Sequence, residues 1–362
     1  MAINVQDLES NDRQKRLAVI EQIHEERDLS VLDVLVEHLE REGERVIKEK
    51  IAMVLDDLLP NTECSKTIGY MIRSEDTFTR NCVVETMKMA TDIVIPLLGE
   101  LSRDDNCDVR KFAIDALINR DTPEVRRILR ERLSDDDPNV VYTAVDYLGN
   151  LRDSEATSSI ELLALNTGDN PMLFCTCMES LAKIGNAGAS QDLITHCNNI
   201  GSEPLFRYSI LKYMGCCASY EAVERYIIDL AAQSGEIFAK EIVDTMEAVC
   251  RREPGLKISA LLKEVLRRLM ISVEAGENKY ELSKMLADNI DIAEARVSAR
   301  LDLASSDSMI LLAALEILGK YGEEQDLDRL DELAEQTNSD EVLELIGDAV
   351  ESIMKAQGGA SL

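Results

Sequence analysis

Residues 104–120 read DDNCDVRKFAIDALINR, and this stretch decides the fold. Its apolar residues Val109, Ala113 and Leu117 recur at every fourth position. That spacing places them on one face of an α-helix. An acidic turn comes before the apolar residues and another polar turn follows them. The stretch therefore predicts a short amphipathic helix that must pack its apolar face against a neighbour.

The same pattern continues directly downstream. Residues 121–133 (DTPEVRRILRERL) predict a second helix, with Thr122 as its N-cap and Pro123 in its first turn, where a missing N–H costs nothing. Residues 134–151 (SDDDPNVVYTAVDYLGNL) predict another first helix, capped by Asp137. Helix pairs of this kind repeat every 31 to 33 residues, which is the signature of a helical repeat array.

Proline marks helix starts along the chain. Four of the seven prolines fall at predicted starts: Pro123, Pro138, Pro171 and Pro204. The remaining pairs are predicted at 11–26 with 29–41, 44–58 with 63–73, 76–90 with 92–102, 203–217 with 220–233, and 236–251 with 256–273. No alternating strand pattern or hairpin dipeptide occurs, so the sequence predicts an all-helical chain.

Three of the five phenylalanines are spaced at regular intervals. Phe174, Phe206 and Phe238 are separated by 32 residues each time. Apolar residues at a fixed point of successive helices are usually packing residues. We therefore expect all three to be largely buried, each in the equivalent position of a first helix. The alternative is a stripe of exposed aromatic residues that binds a partner.

Three stretches carry a family resemblance: DVRKFAIDAL (108–117), NVVYTAVDYL (139–148) and DIVIPLLGEL (92–101). They resemble HEAT repeats, especially the short bacterial and archaeal kind that phycobilin lyases also contain. The matching residues are Pro96, Asp108, Val109, Arg110, Leu148 and Gly149, with Leu318 and Gly319 repeating the Leu-Gly pair. The resemblance implies an all-α solenoid of about ten HEAT-like helix pairs, stacked in a right-handed superhelix.

The regular spacing ends after Phe238, because the next aligned position, Ile310, comes 72 residues later where two repeats would take 64. The sequence therefore predicts four segments: a regular array at 1–251, degenerate repeats with a register slip at 252–306, acidic capping repeats at 307–357 and a disordered tail at 358–362. The slip has two interpretations. It is either a longer helix with a degenerate repeat, or a specialised junction that binds a partner.

The charge of the chain limits its partners. With 69 acidic and 39 basic residues the net charge is −30. Binding to nucleic acid needs clustered Lys and Arg to neutralise phosphates, so neither a nucleic acid nor an anionic membrane is expected as a partner. The N-terminus lacks the apolar core of a signal peptide, and nine cysteines without a paired spacing indicate reduced, buried thiols. These features predict a cytoplasmic protein.

The sequence contains no catalytic or nucleotide-binding motif. Its three histidines, His24, His38 and His196, offer little for a catalytic triad or a metal site. No cofactor or metal is expected, and we do not expect an enzyme. The preferred function is a non-catalytic scaffold that binds a partner protein. Because the repeat type also occurs in enzymes, a HEAT-repeat enzyme or lyase-like protein-modifying factor is the alternative.

The distribution of basic and acidic residues suggests where a partner would bind. Second helices of HEAT arrays usually line the inner surface, and two of those predicted here contain the candidate basic residues Arg126, Arg130, Lys263, Arg267 and Arg268. Twelve acids and one base between 323 and 351 predict a surface that attracts a basic segment of a partner, with Asp326, Asp328, Asp331 and Glu332 as candidates. Self-association through the apolar stretch 256–273 is a further alternative.

Overall fold

The structure is a computed structural model that describes residues 3–58, 69, 71–167, 170–185, 188, 190–200, 203–233, 239–271 and 278–358. Within these ranges every regular element is an α-helix or a short 3₁₀ turn. The predicted all-α fold is therefore confirmed. The predicted disordered tail at 358–362 lies outside the described residues, except for Gly358, which ends the last helix.

The helices form two compact units, which we describe separately. The first comprises Met1–Thr167 and Met172–Ser180, and the second comprises Gly168–Pro171 and Leu181–Leu362. This division into two units follows the packing of the helices. The four predicted segments follow the repeat spacing instead, and they stay a prediction.

The first unit is a stack of helix pairs. Its helices are α1 (Arg13–Glu26), α2 (Leu32–Arg41), α3 (Arg45–Leu58), α4 (Thr77–Met89), α5 (Ile95–Leu101), α6 (Cys107–Asp115), α7 (Pro123–Glu131), α8 (Pro138–Asn150) and α9 (Thr157–Leu165). Successive first helices pack on one another in the order α1, α3, α4, α6 and α8. The second helices α5 and α7 also touch. Each pair thus uses its neighbours as its hydrophobic core.

The second unit is also a stack of helix pairs. Its helices are α10 (Pro171–Ile184, shared with the first unit), α11 (Gln191–Ile200), α12 (Pro204–Cys217), α13 (Tyr220–Gln233), α14 (Ala239–Arg252), α15 (Ala260–Ile271), α16 (Asn278–Asp288), α17 (Ile292–Asp302), α18 (Ser308–Tyr321), α19 (Leu327–Gln336) and α20 (Asp340–Gly358). First helices pack in the order α12, α14, α16, α18 and α20. The stack therefore runs through residues 252–306, where the sequence spacing slips.

Glycines allow close contact between successive first helices. A Cβ atom on Gly215 of α12 would lie 3.1 Å from the Cα of Thr245 on α14, and one on Gly319 of α18 would lie 3.3 Å from the Cα of Ala349 on α20. A larger residue would meet the backbone of the next helix. The recurring glycine near first-helix ends is thus a consequence of helix packing.

A row of ion pairs joins successive repeats of the first unit. The cation is the fourth residue of a first helix, and the acid lies in the turn just before the next first helix. The pairs are Arg16–Glu44, Lys48–Asp76 and Arg110–Asp135, each at 2.6 Å. Because most of the cations are largely buried, these pairs also fill the space beneath the turns.

Of the three phenylalanines, Phe174 confirms the prediction of burial, Phe206 meets it in part, and Phe238 leaves it untested. Phe174 is buried, with 2% of its surface exposed, but Phe206 is half-buried and Phe238 lies outside the described residues. The helices α4, α6, α8, α10 and α12 begin 30, 31, 33 and 33 residues apart, so a 32-residue spacing drifts along them. Phe174 is the fourth residue of its helix, whereas Phe206 is the third of α12, where buried Arg207 occupies the fourth position.

The caps follow the sequence predictions, and the thiols do so in part. All four prolines named above begin helices. Thr122 accepts a hydrogen bond from the Val125 N–H at 3.2 Å, which satisfies a free donor of the first turn. Of the eight described cysteines, Cys177, Cys197 and Cys217 are buried, and the other five are partly exposed. Burial raises the pKa of the Cys177 and Cys197 thiols to about 12, which keeps them protonated and unreactive.

Candidate partner-binding groove

Helix α17 packs with its small residues inward and its large apolar residues outward. Only Ala295 and Ala299 of this helix are buried. Val297 and Leu301, one turn apart on the opposite face, are exposed, with exposed fractions of 53% and 72%. A surface helix normally does the reverse. The outward face of α17 is therefore an apolar ridge without a partner among the described residues.

A groove borders this ridge, and we refer to it as the α17 groove. It has a volume of about 710 Å³ and lies between α15, α17 and the turn that precedes α18. Its apolar wall consists of Met270, Val297, Leu301 and Ile310. Its charged side chains are Arg267, Lys279, Glu294, Asp302 and Asp307. Apart from Asp307 and Ile310, the residues that line the groove lie in the segment 252–306, where the repeat spacing slips. The slip therefore coincides with a concave surface.

Most charges of the α17 groove are paired within the chain. Lys279 lies 2.5 Å from Asp307, and Lys263 pairs with Glu294 beside the groove. Arg267 is held more loosely, because its Nη2 lies 3.9 Å from Glu294. The same nitrogen donates to the Ser298 hydroxyl at 3.5 Å.

Asp302 differs from the other charged residues of the groove. Its carboxylate has no hydrogen bond and no ion pair within the described chain, although the residue is partly buried. Burial raises the pKa of the Asp302 carboxyl, and the positive charge of Arg267 acts in the opposite direction without cancelling the effect. The groove therefore presents one unneutralised carboxylate beside an apolar wall.

The candidate basic residues of α7 serve contacts within the chain. Arg126 donates to Asp121 at 2.7 Å and to the Leu151 carbonyl at 2.7 Å. Arg130 pairs with Glu155 and lies 3.6 Å from Asp153. Both side chains thus reach the turn before α9 and join neighbouring repeats.

The basic residues of α15 lie in two different environments. Lys263 and Arg267 point toward Glu294 on α17, as described above. Arg268 is exposed and lies 4.0 Å from Glu264 one turn away. Of the predicted set, only Arg267 lines the groove.

The stretch 256–273 exposes little apolar surface. Ile258, Leu262, Val265, Leu266 and Met270 are buried, and Leu261 is the exposed large apolar residue among those described in this stretch. Its hydrophobicity is thus largely accounted for by packing within the chain, and self-association through it stays a prediction.

The acidic residues of the C-terminal helices also separate into two groups. Arg300 donates to both oxygens of Asp326, at 2.5 and 3.0 Å, and the Glu323 N–H donates to the same carboxylate at 2.9 Å. Burial acts to raise the pKa of Asp326, but these hydrogen bonds outweigh it and hold that pKa below its ordinary value. Asp326 is therefore engaged inside the chain.

Asp328, Asp331 and Glu332 remain available on the surface of α19. All three are exposed, and none makes an ion pair with another residue in the described ranges. These three acids, without Asp326, make up the accessible part of the predicted acidic surface.

Sequence reasoning did not identify Asp302 or the outward face of α17. The signal was present in IAEARVSARLD (292–302), where small residues at 295 and 299 alternate with large apolar residues at 297 and 301. The pattern shows two possible apolar faces, and only the packing of α17 decides which one is buried.

Neither a metal site nor a membrane-spanning helix is found in the described part of the chain. No group of three or more His, Cys, Asp or Glu side chains there is arranged to hold a metal ion. Among the described helices, none combines the length and apolar character needed to cross a membrane.

Comparison with known proteins supports the repeat assignment. Residues 94–173 match the family model for HEAT repeats. This range contains the stretches 108–117 and 139–148 and all but the first two residues of 92–101, on which the resemblance was based. No curated protein matches the sequence.

Solved structures share the fold across nearly the whole chain. The crystal structure of Kap121p covers 96% of this chain with a TM-score of 0.56 and 13% identity. Kap95p covers 96% with a TM-score of 0.59 and 11% identity. This chain spans 44% of Kap121p and 57% of Kap95p. At such identities the similarity shows the fold alone: an all-α solenoid.

Proposed function

We propose that this HEAT-repeat protein is a non-catalytic scaffold that binds a partner protein, and that the α17 groove is where the partner docks. The observation that carries the proposal is the inverted packing of α17. Buried alanines and exposed Val297 and Leu301 leave an apolar ridge beside a concave surface. Contiguous exposed apolar surface of this kind is typical of protein-binding sites.

The energetics favour a macromolecular partner. Covering a side chain such as Leu301 on binding contributes about 1.5–3 kcal/mol. The ridge consists of Val297 and Leu301, which lie one turn apart and also line the groove. A partner segment that covers the ridge would therefore enter the groove at the same time.

Proteins with the same fold offer a parallel. Kap121p has been crystallised bound to Ste12p and bound to Pho4p, and Kap95p binds RanGDP. These are properties of those proteins, and they support protein binding as a use of this fold. They do not identify a partner for this chain.

The enzyme alternative has less support from the groove. A catalytic site needs a nucleophile or base with a neighbour that activates or orients it. Lys279 is engaged by Asp307 and Glu294 by Lys263, while Asp302 stands apart from both pairs. The arrangement suits recognition better than proton transfer.

The test compares proteins captured by the full-length chain and by groove variants. Val297→Asp and Leu301→Asp place a charge on the ridge, and Leu162→Asp is the matched control, because Leu162 is 63% exposed on α9 in the other unit. We expect quantitative mass spectrometry of captured proteins to show at least one protein that both groove variants lose and the control retains. Identical capture by all four chains would contradict the proposal.

A further inference from the structure

We propose that the α17 groove binds a partner segment in which a basic side chain pairs with Asp302 while apolar residues beside it cover Val297 and Leu301. The inference rests on the proposed function and deepens it by naming the chemistry of the bound segment. That segment contains a lysine or arginine flanked by apolar residues.

The first argument is the charge balance around Asp302. Each element that lines the groove contributes charged groups: Arg267 from α15, Lys279 from α16, Glu294 from α17 and Asp307 from the turn before α18. Lys279 and Glu294 have close ionic partners, and Arg267 interacts with Glu294 and Ser298. Asp302 alone among these groups has no partner within ion-pair distance in the described chain.

The second argument is the position of Asp302 in its helix. It is the last residue of α17, where the negative end of the helix dipole disfavours a carboxylate. The basic residues of the same helix do not compensate, because Arg296 pairs with Glu323 and Arg300 with Asp326. A charge held in an unfavourable setting is typical of a residue retained for binding.

The third argument concerns the shape of the occupant. Lysine and arginine have aliphatic stems that pack on apolar surface while the charged head reaches a polar group. Leu301 directly precedes Asp302 in the sequence, and both line the groove. A basic side chain could therefore place its stem against the apolar wall and its charge at Asp302.

Long-range electrostatics favour the same sign of ligand. The chain has a net charge of −30, so a cationic segment approaches it more readily than an anionic one. Arg267 would repel the cation weakly, but its guanidinium is already shared with Glu294. An acidic segment would have to approach both Asp302 and Glu294.

The experiment uses three short fluorescein-labelled peptides that share the same leucines and differ at one central residue. That residue is lysine, its uncharged analogue norleucine, or glutamate. Fluorescence polarisation measures their affinity for the unmodified chain, for Asp302→Asn and for Glu25→Gln. The last variant removes one exposed charge from α1 and controls for net charge. Thermal melting establishes that each variant is folded.

We expect the lysine peptide to bind the unmodified chain at least about tenfold more tightly than the norleucine peptide. Asp302→Asn should abolish this difference, and Glu25→Gln should preserve it. Equal affinity for lysine and norleucine, no effect of Asp302→Asn, a preference for glutamate, or no binding of the lysine peptide at millimolar concentration would each overturn the inference. A dimer that Leu301→Asp dissociates in sedimentation experiments would assign the groove to a second copy of the chain instead.

The capture experiment separates this inference from the proposed function. If Leu301→Asp loses a partner that Asp302→Asn still binds, the groove is a docking site but Asp302 is not the anchor. If neither variant changes the captured proteins, both proposals fail.

Discussion

Asp302 lies where partial burial and the end of α17 both act against its negative charge. Its pKa is raised in the folded chain, so the folded state holds the proton more tightly than the unfolded state. For an acid with a raised pKa, stability falls as the pH rises through the interval between the unfolded and folded pKa values. Once the pH exceeds the folded pKa, the full cost is present.

Replacing Asp302 with Asn should therefore increase the free energy of unfolding at pH 7. The gain should shrink as the pH falls from the raised pKa of the folded chain to the ordinary pKa of an aspartate, because the native carboxyl becomes neutral over this interval. Urea unfolding at a series of pH values measures this, with Glu332→Gln as an exposed control that should show a much smaller pH-dependent difference. A lower stability of Asp302→Asn at pH 7 would mean that the carboxylate has a stabilising contact in the folded chain.

Phe174 and Phe206 offer a comparison of one residue type in two packing environments. Truncating buried Phe174 to Ala should cost about 3–5 kcal/mol, since it removes a large side chain and leaves a cavity. Phe206→Ala should cost clearly less, because that side chain is half-buried and solvent can fill part of the space. Denaturant unfolding of both variants measures the difference, and equal losses would restore the equivalence that the 32-residue spacing suggested.

At the scale of helices, the sequence predicted where a helix begins better than which face of the helix is buried. Proline and capping residues identified α7 and α8 because their effects on the first helical turn are local. The packed face of α17 depends on how closely α16 and α18 approach, which no local pattern records. Spacing counted from Phe174 also missed the drift of helix starts, because turn lengths vary between repeats.

Two helical glycines test the close packing of first helices. Gly215→Ala should lower the melting temperature, because the new Cβ would lie 3.1 Å from the Thr245 backbone and overpacking costs about 1–3 kcal/mol. Gly347→Ala on α20 should raise it, because no atom lies within 4 Å of the new Cβ and alanine favours a helix by about 1 kcal/mol. Stabilisation by both substitutions would show that α12 and α14 can separate at little cost.

At the scale of the whole chain, acidic residues outnumber basic ones by 69 to 39. On α19, three exposed acids lie close together in the sequence: Asp328, Asp331 and Glu332. Capping helices need a polar outer face, yet mixed charges would satisfy that need equally well. The sequence predicted an acidic partner-binding surface here and included Asp326, whose engagement by Arg300 could not be read from residue order. The structure reduces the accessible set to Asp328, Asp331 and Glu332.

We expect this acidic surface to speed the approach of a basic partner segment toward the second unit. Replacing Asp328, Asp331 and Glu332 with their amides should slow association more than it speeds dissociation, since exposed charges act mainly on diffusional encounter. The effect should vanish at high salt, because screening acts over about 8 Å at physiological ionic strength. The matched control replaces Glu25, Asp33 and Glu40, three exposed acids of the first unit, and removes the same net charge. Stopped-flow measurement of association rates with the captured partner distinguishes these cases. Equal slowing by both triple variants would assign the effect to net charge. No slowing by either variant would leave the acids a role in solubility alone.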